Sequence, residues 1–158
     1  ADGARVTIEP LRYFPVQRDL IVDQTGFFEK YKSVKPYLIN NEPVAEKERI
    51  QPPEDRKAFD DPTNCILCSA CFSACPIPAE NPRFLGPAAI IQAARFNKDS
   101  RDQGFEERLP ELNDPDGVWP CRNHFECTRA CPRGIKITKL INETKRQIKA
   151  RQEGGADY

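Results

Sequence analysis

The strongest periodicity in the chain lies towards its C-terminal end. Ile137, Leu140, Ile141, Thr144 and Ile148 recur at i, i+3, i+4, i+7 and i+11, which predicts an amphipathic helix over about 137–152. A second helix is predicted over PAAIIQAARFNKDS, from Pro87 to about Ser100. Gly86-Pro87 opens it, with the proline suited to a first turn. Ile90, Ala93, Ala94 and Asn97 line one face, and Ile91 with Ala94 widens it. A third helix follows Asp23 as N-cap, with Phe27, Phe28 and Tyr31 on one face and Pro36 as its stop. A shorter helix is expected near 104–112, ahead of a turn at NDPDG, 113–117. Residues 40–63 are polar and hold Pro43, Pro52, Pro53 and Pro62. They read as a surface loop with one short helix near 53–60, opened by Pro53, Glu54 and Asp55. Only residues 1–22 read as extended: Val6 and Ile8 alternate with Thr7 and Glu9, and Pro10 and Pro15 prevent a helix. The expected class is mainly α. Its parts are an extended junction or docking segment over 1–22, a helical domain over 23–152 and a flexible tail over 153–158.

Composition narrows the function. Lys+Arg and Asp+Glu are both 24, so no net field draws nucleic acid to the chain, and no nucleic-acid partner is expected. With 30% charged residues, 39% hydrophobic residues and 15 prolines, the chain reads as globular and loop-rich. Apolar runs are only a few residues long, so membrane association would come through partners. No secretory or transit-like start is present. The chain begins at Ala1 and holds no Met, which reads as loss of an upstream presequence or of part of a longer protein. Arg129, Arg133, Lys136, Lys139, Lys145, Arg146, Lys149 and Arg151 make the last part basic, with Glu143 the only acid among them. A solvated face is the preferred reading, with docking to acidic partners or anionic lipid as the alternative.

The chemistry lies in seven cysteines. Cys65, Cys68, Cys71, Cys75 and Pro76 form C-x2-C-x2-C-x3-C-P, the bacterial ferredoxin run. The first three cysteines of such a run wrap one cubane, and the fourth ligates the other cluster. Ile66, Leu67, Ala70 and Phe72 supply an apolar sheath that tunes potential by limiting water. The second run is Cys121, Cys127, Cys131 and Pro132, with His124 where the second cysteine would stand. Aligned on the closing C-x3-C-P, the two runs form an internal repeat about 56 residues apart. Crossover then groups Cys65, Cys68, Cys71 and Cys131 on a [4Fe–4S] cluster, and Cys75, Cys121 and Cys127 on a three-thiolate site that suits [3Fe–4S]. His124 stands at the missing corner. There it either fills space, the preferred reading, or ligates a fourth iron through its imidazole.

Other uses of these sulfurs are less specific. Seven cysteines and one histidine suffice for two tetrahedral zinc sites, so a structural zinc module is an alternative, although C-x3-C-P endings are more typical of clusters. Disulfides would be strained at C-x2-C spacing and leave one thiol over. No Gly-rich phosphate loop or nucleophile motif accompanies the single histidine, so electron transfer is the only chemistry indicated.

Beyond the cysteines, RDLIVD at 18–23, YKSVKPYLI at 31–39, NCILCSACFSACP at 64–76, NPRFLGPAAI at 81–90, RFNKDSRD at 95–102, GVW at 117–119 and CPRGI at 131–135 resemble one family. It is the iron–sulfur subunit of succinate dehydrogenase and fumarate reductase, respiratory complex II, in its C-terminal half. The resemblance implies an all-helical ferredoxin-like domain with the two clusters assigned above. It implies an FAD-containing flavoprotein that oxidises succinate, membrane anchor subunits, and quinone at a shared site. The location implied is the matrix side of the mitochondrial inner membrane or the cytoplasmic side of a bacterial membrane. The family's plant-type [2Fe–2S] domain has no counterpart cysteines here, and a separate chain or domain is expected to carry it. Pro76 and Ile77 stand where quinone would approach. Where many members carry a Trp pair and a His, this chain holds Ala79, Glu80 and Arg122. Arg122 is either a replacement donor to quinone or half of an ion pair. Fumarate reduction by the same parts in reverse is the close functional alternative. A heterodisulfide-reductase or glycolate-oxidase type of subunit is disfavoured, because those usually keep all four cysteines in each run.

Overall fold

The computed structural model describes residues 3, 5–43 and 46–154. These residues are mainly helical, with one small antiparallel hairpin. The hairpin lies inside the segment expected to be simply extended: β1, Val16–Arg18, pairs with β2, Ile21–Val22. Asp19 takes the left-handed conformation (φ 50°) that lets so short a turn close. The Asp23 N–H then donates to the Pro15 carbonyl at 2.8 Å and fastens the hairpin base.

Helix α1 spans Thr25–Ser33. Asp23 sets its start one residue earlier than a cap would: its Oδ1 accepts the Thr25 N–H at 2.8 Å and the Thr25 hydroxyl at 2.6 Å. Phe27 turns inward, while Phe28 is only partly covered. The single short helix expected near 53–60 is two, α2 (Pro53–Ala58) and α3 (Asp60–Thr63). They break at Phe59, whose φ of −125° lets its ring enter the core beneath the Arg56 guanidinium, 4.9 Å from the ring centre.

After α4 (Ala70–Ala74) and α5 (Ile77–Glu80) comes α6, Pro87–Asn97. Sequence reading assigned it one apolar face; instead every residue from Pro87 to Ala94 is buried, Gln92 included. It is the central helix, packed by α9 on one side and α3 on another, with α1, α4 and α7 completing the cage. It ends three residues before Ser100. There Asp99 turns its carboxylate onto the Arg101 side chain at 2.7 and 2.9 Å and onto the Arg101 N–H at 3.0 Å. Helix α7 is Phe105–Asn113, followed by the expected turn, in which the Gly117 N–H donates to the Asp114 carbonyl at 2.8 Å. After α8 (Glu126–Arg129), α9 runs over Ile137–Gly154 and buries Ile137, Leu140, Ile141, Thr144 and Ile148, the five positions of the periodic stripe. Of the tail expected over 153–158, two residues belong to α9 and 155–158 lie outside the described residues.

Arg108, on α7, has no exposed surface. Its guanidinium forks onto Asp102 at 2.7 and 2.9 Å and donates to the Lys35 and Tyr37 carbonyls at 3.1 and 2.7 Å and to Asn97 Oδ1 at 3.0 Å. Asp102 also accepts the Ile39 and Gly104 N–H groups at 2.9 and 2.7 Å. One fully satisfied ion pair thus pins the strand of chain after α1 to the α6–α7 corner.

Gly86, ahead of α6, has φ +93°, and a Cβ there would lie 2.7 and 2.9 Å from ring carbons of buried Phe72. Gly86→Ala therefore combines a disfavoured backbone with overpacking. It is expected to lower stability by about 2–4 kcal/mol, read from the denaturant midpoint.

Candidate metal centres

Each cysteine run is built by the same backbone device. In the first, Leu67 and Ser69 take left-handed conformations (φ 54° and 63°), and α4 starts at the next residue. In the second, Asn123 and Phe125 do so (φ 60° and 63°), and α8 starts at the next residue. Asn123 and Phe125 stand as far along the chain from Leu67 and Ser69 as Cys131 does from Cys75. Alternating handedness coils the chain tightly and turns successive N–H groups towards the sulfurs. The Leu67 N–H approaches Cys65 Sγ at 3.5 Å.

The runs face each other and share two cavities. The first is lined by Cys65, Cys68 and Cys71 from one run and Cys131 from the other. The second is lined by Cys75 from the first run and by Cys121 and Cys127 from the second. Pro76, Ile77, Arg122 and His124 line this second cavity as well. All seven sulfurs are free thiols. Cys71, Cys75 and Cys127 are buried, Cys65, Cys121 and Cys131 half-buried, and Cys68 exposed. Among the described residues, no three His, Cys, Asp or Glu side chains gather closely enough to hold one metal ion. Each site draws its sulfurs from both runs, whereas a zinc site of the C-x2-C type would pair neighbouring cysteines of one run. A filled cavity also answers a local need, because the Ser69 hydroxyl is buried at the first one with no partner.

Electrostatics follow from crowding the sulfurs together. Burial, then the neighbouring Cys65, Cys127, Cys68 and Cys131, pushes the Cys71 thiol far up. Burial raises Cys75 to about 11, against the pull of the Ile77 N–H, with Cys127 and Cys121 adding to the rise. Cys127 is raised by burial, and the Thr138 hydroxyl opposes the rise. Without metal these three thiols hold their protons at neutral pH. Metal binding must displace the protons, and it removes the repulsion.

Residues 61–135 match the family model described as 4Fe-4S dicluster domain. The succinate dehydrogenase iron–sulfur subunit of Coxiella burnetii is 42% identical over 152 residues, covering 96% of this chain and 65% of that protein. The fumarate reductase iron–sulfur subunit of Mycobacterium tuberculosis is 48% identical over 142 residues, covering 89% and 58%. A chain in the structure of the Mycobacterium smegmatis Sdh1 complex in the apo form superposes with a TM-score of 0.86 at 26% identity, covering 97% of this chain and 65% of that one. Over nearly its whole length the chain is homologous to the iron–sulfur subunits of succinate dehydrogenase and fumarate reductase. It spans about three-fifths of the length of these relatives.

Thr138 matters at the second cavity although the cysteine spacing does not mark it. Thr138, from the start of α9, lies 3.6 Å from Cys127 Sγ and 2.9 Å from the Thr128 hydroxyl, while its own N–H donates to Thr128 Oγ1 at 3.0 Å. Once Cys127 is a thiolate it can only accept, so the Thr138 hydroxyl is its donor. Lys145 Nζ donates to the Cys121 carbonyl at 2.7 Å and ties α9 to the second run. Of the arginines beside the runs, Arg122 pairs with Glu80 at 2.9 Å and Arg129 with Glu126 at 3.0 Å. The basic end is also partly neutralised: Lys98 and Lys139 meet Glu143, and Arg151 meets Glu106. His124 is exposed, and its carbonyl accepts from Arg129 at 3.3 Å.

Proposed function

We propose that the chain is an electron relay of a succinate:quinone oxidoreductase. In this assignment it holds a [4Fe–4S] centre on Cys65, Cys68, Cys71 and Cys131 and a [3Fe–4S] centre on Cys75, Cys121 and Cys127. The observation that carries this is the crossing of the two runs, each cavity drawing sulfurs from both. Bound clusters of this kind supply one-electron transfer at potentials of roughly −700 to +450 mV, set by their surroundings. The chain's own residues provide those surroundings. Ile77, Phe84 and Ile141 wall the second cavity with hydrocarbon, and Thr138 donates to Cys127. The first cavity is walled by Ala88, Ile91, Ile135 and Ile137.

In this proposal electrons arrive from an FAD-containing flavoprotein through a [2Fe–2S] centre on a plant-type ferredoxin chain or domain. They leave from the second cavity to quinone. Pro76, Ile77 and Arg122 are the assigned contacts, and membrane anchor subunits complete the site. Val6, Ile8, Val16, Leu20 and Ile21 are all exposed, which supports residues 1–22 as the surface docked on the donor side. No helix among the described residues is long and apolar enough to cross a membrane. Fumarate reduction is the second reading, favoured by the 48% identity to a fumarate reductase subunit.

Metal analysis of the purified complex tests the assignment. The expected content on this chain is about seven irons with about eight acid-labile sulfides, the sum of one cubane and one three-iron centre. Zinc in place of these seven irons and eight sulfides, leaving only the two irons and two sulfides of the [2Fe–2S] centre, would contradict it.

A further inference from the structure

Ser69 is 1% exposed, and its hydroxyl oxygen has no hydrogen-bond partner. A serine just ahead of a helix ordinarily caps it from an extended backbone, its oxygen accepting an N–H of the first turn. Ser69 precedes α4 but sits at φ 63°, ψ −1°, and makes no such cap. Only its carbonyl serves the helix, accepting the Phe72 and Ser73 N–H groups at 3.0 Å each. Ser69 itself lines the first cavity, in company with Cys65, Cys68, Cys71 and Cys131. Buried hydroxyls are rarely left unpaired. The other side chains there are aliphatic, apart from Arg133, which can only donate, so sulfur is the side-chain acceptor this cavity offers. The second run provides an internal contrast. Phe125 holds the equivalent position at φ 63°, and it carries no hydroxyl.

We propose that the Ser69 hydroxyl donates a hydrogen bond to a sulfur of the first centre and holds that centre's reduction potential above what the cavity would otherwise set. This rests on the cluster assignment made above. Reduction adds one electron and makes the sulfurs more negative. A donor fixed on sulfur therefore favours the reduced state, and no proton needs to be transferred.

The test compares Ser69→Ala and Ser69→Gly in the purified, cluster-loaded complex. Alanine removes only the unpartnered oxygen; glycine removes it and also suits the left-handed backbone. Both variants are expected to keep wild-type iron and sulfide. The midpoint potential of the first centre should fall by the same amount in each, about tenfold in the electron-exchange constant, or ~59 mV for one electron. The second centre should not move. Electron–nuclear double resonance on the reduced first centre should lose one exchangeable-proton coupling in both variants. Wild-type potentials in both would overturn the proposal, and so would a fall confined to alanine, which would implicate backbone strain. Failure of the underlying assignment looks different: a wild-type complex with no iron or sulfide beyond that of the [2Fe–2S] centre.

Discussion

Replacing Arg108 with methionine lowers the stability of the chain by about 3–5 kcal/mol. The size follows from what is left behind. Arg108 and Asp102 are 0% and 1% exposed, so the variant strands a buried carboxylate that water cannot reach. It also strands the Lys35 and Tyr37 carbonyls, which accept from the guanidinium. The same substitution at Arg151, whose pair with Glu106 is more than half exposed on both sides, is expected to cost less than about 1 kcal/mol. Adding Asp102→Leu to Arg108→Met should recover a large part of the loss, because the double variant no longer buries a lone charge. Urea midpoints for the four proteins measure this. Arg108 lines neither sulfur cavity, so any Arg108→Met protein that folds keeps both cluster spectra.

The second large effect is at Cys75. Cys75→Ser is expected to abolish the electron paramagnetic resonance signal of the three-iron centre and leave most of the four-iron signal. Cys75 is the sole sulfur of the first run lining the second cavity, where only Cys121 and Cys127 accompany it. Two thiolates would be left for three irons. Electron delivery to quinone is expected to fall with the signal, whereas transfer as far as the first centre survives. The loss reaches the fold too: Cys75 and Cys127 belong to the hydrophobic core with Ile77, Phe84 and Ile141, so an empty second cavity loosens α4, α8 and the start of α9.

What sequence alone could and could not show depends on the range of the interactions. The grouping of the cysteines was legible because ligand spacing is local and the crossover is built into the C-x3-C-P ending. The α9 stripe was legible because each inward position is apolar or threonine. Helix α6 was read as one-faced because small alanines and a glutamine mimic a solvated side; only the cage around it shows Gln92 to be buried. The hairpin was missed because strands of three and two residues carry too little alternation to register. The break at Phe59 has no local signal; it is made by the ring's place in the core. Arg108 reads as one more charge in FEERLPELN, since its carbonyl partners lie 73 and 71 residues away in the chain. Ser69 stayed hidden for a related reason: cysteine spacing reports donor identity and not backbone handedness, and handedness takes its hydroxyl off the helix.

Cross-run sharing is most directly tested at Cys131, the one cysteine of the second run that lines the first cavity. Spectra of the Cys131→Ala complex, recorded oxidised and then fully reduced, should retain the three-iron signal and lose the four-iron one. Loss of the three-iron signal with the four-iron signal intact would mean that each run closes its own centre, and the crossing would be refuted.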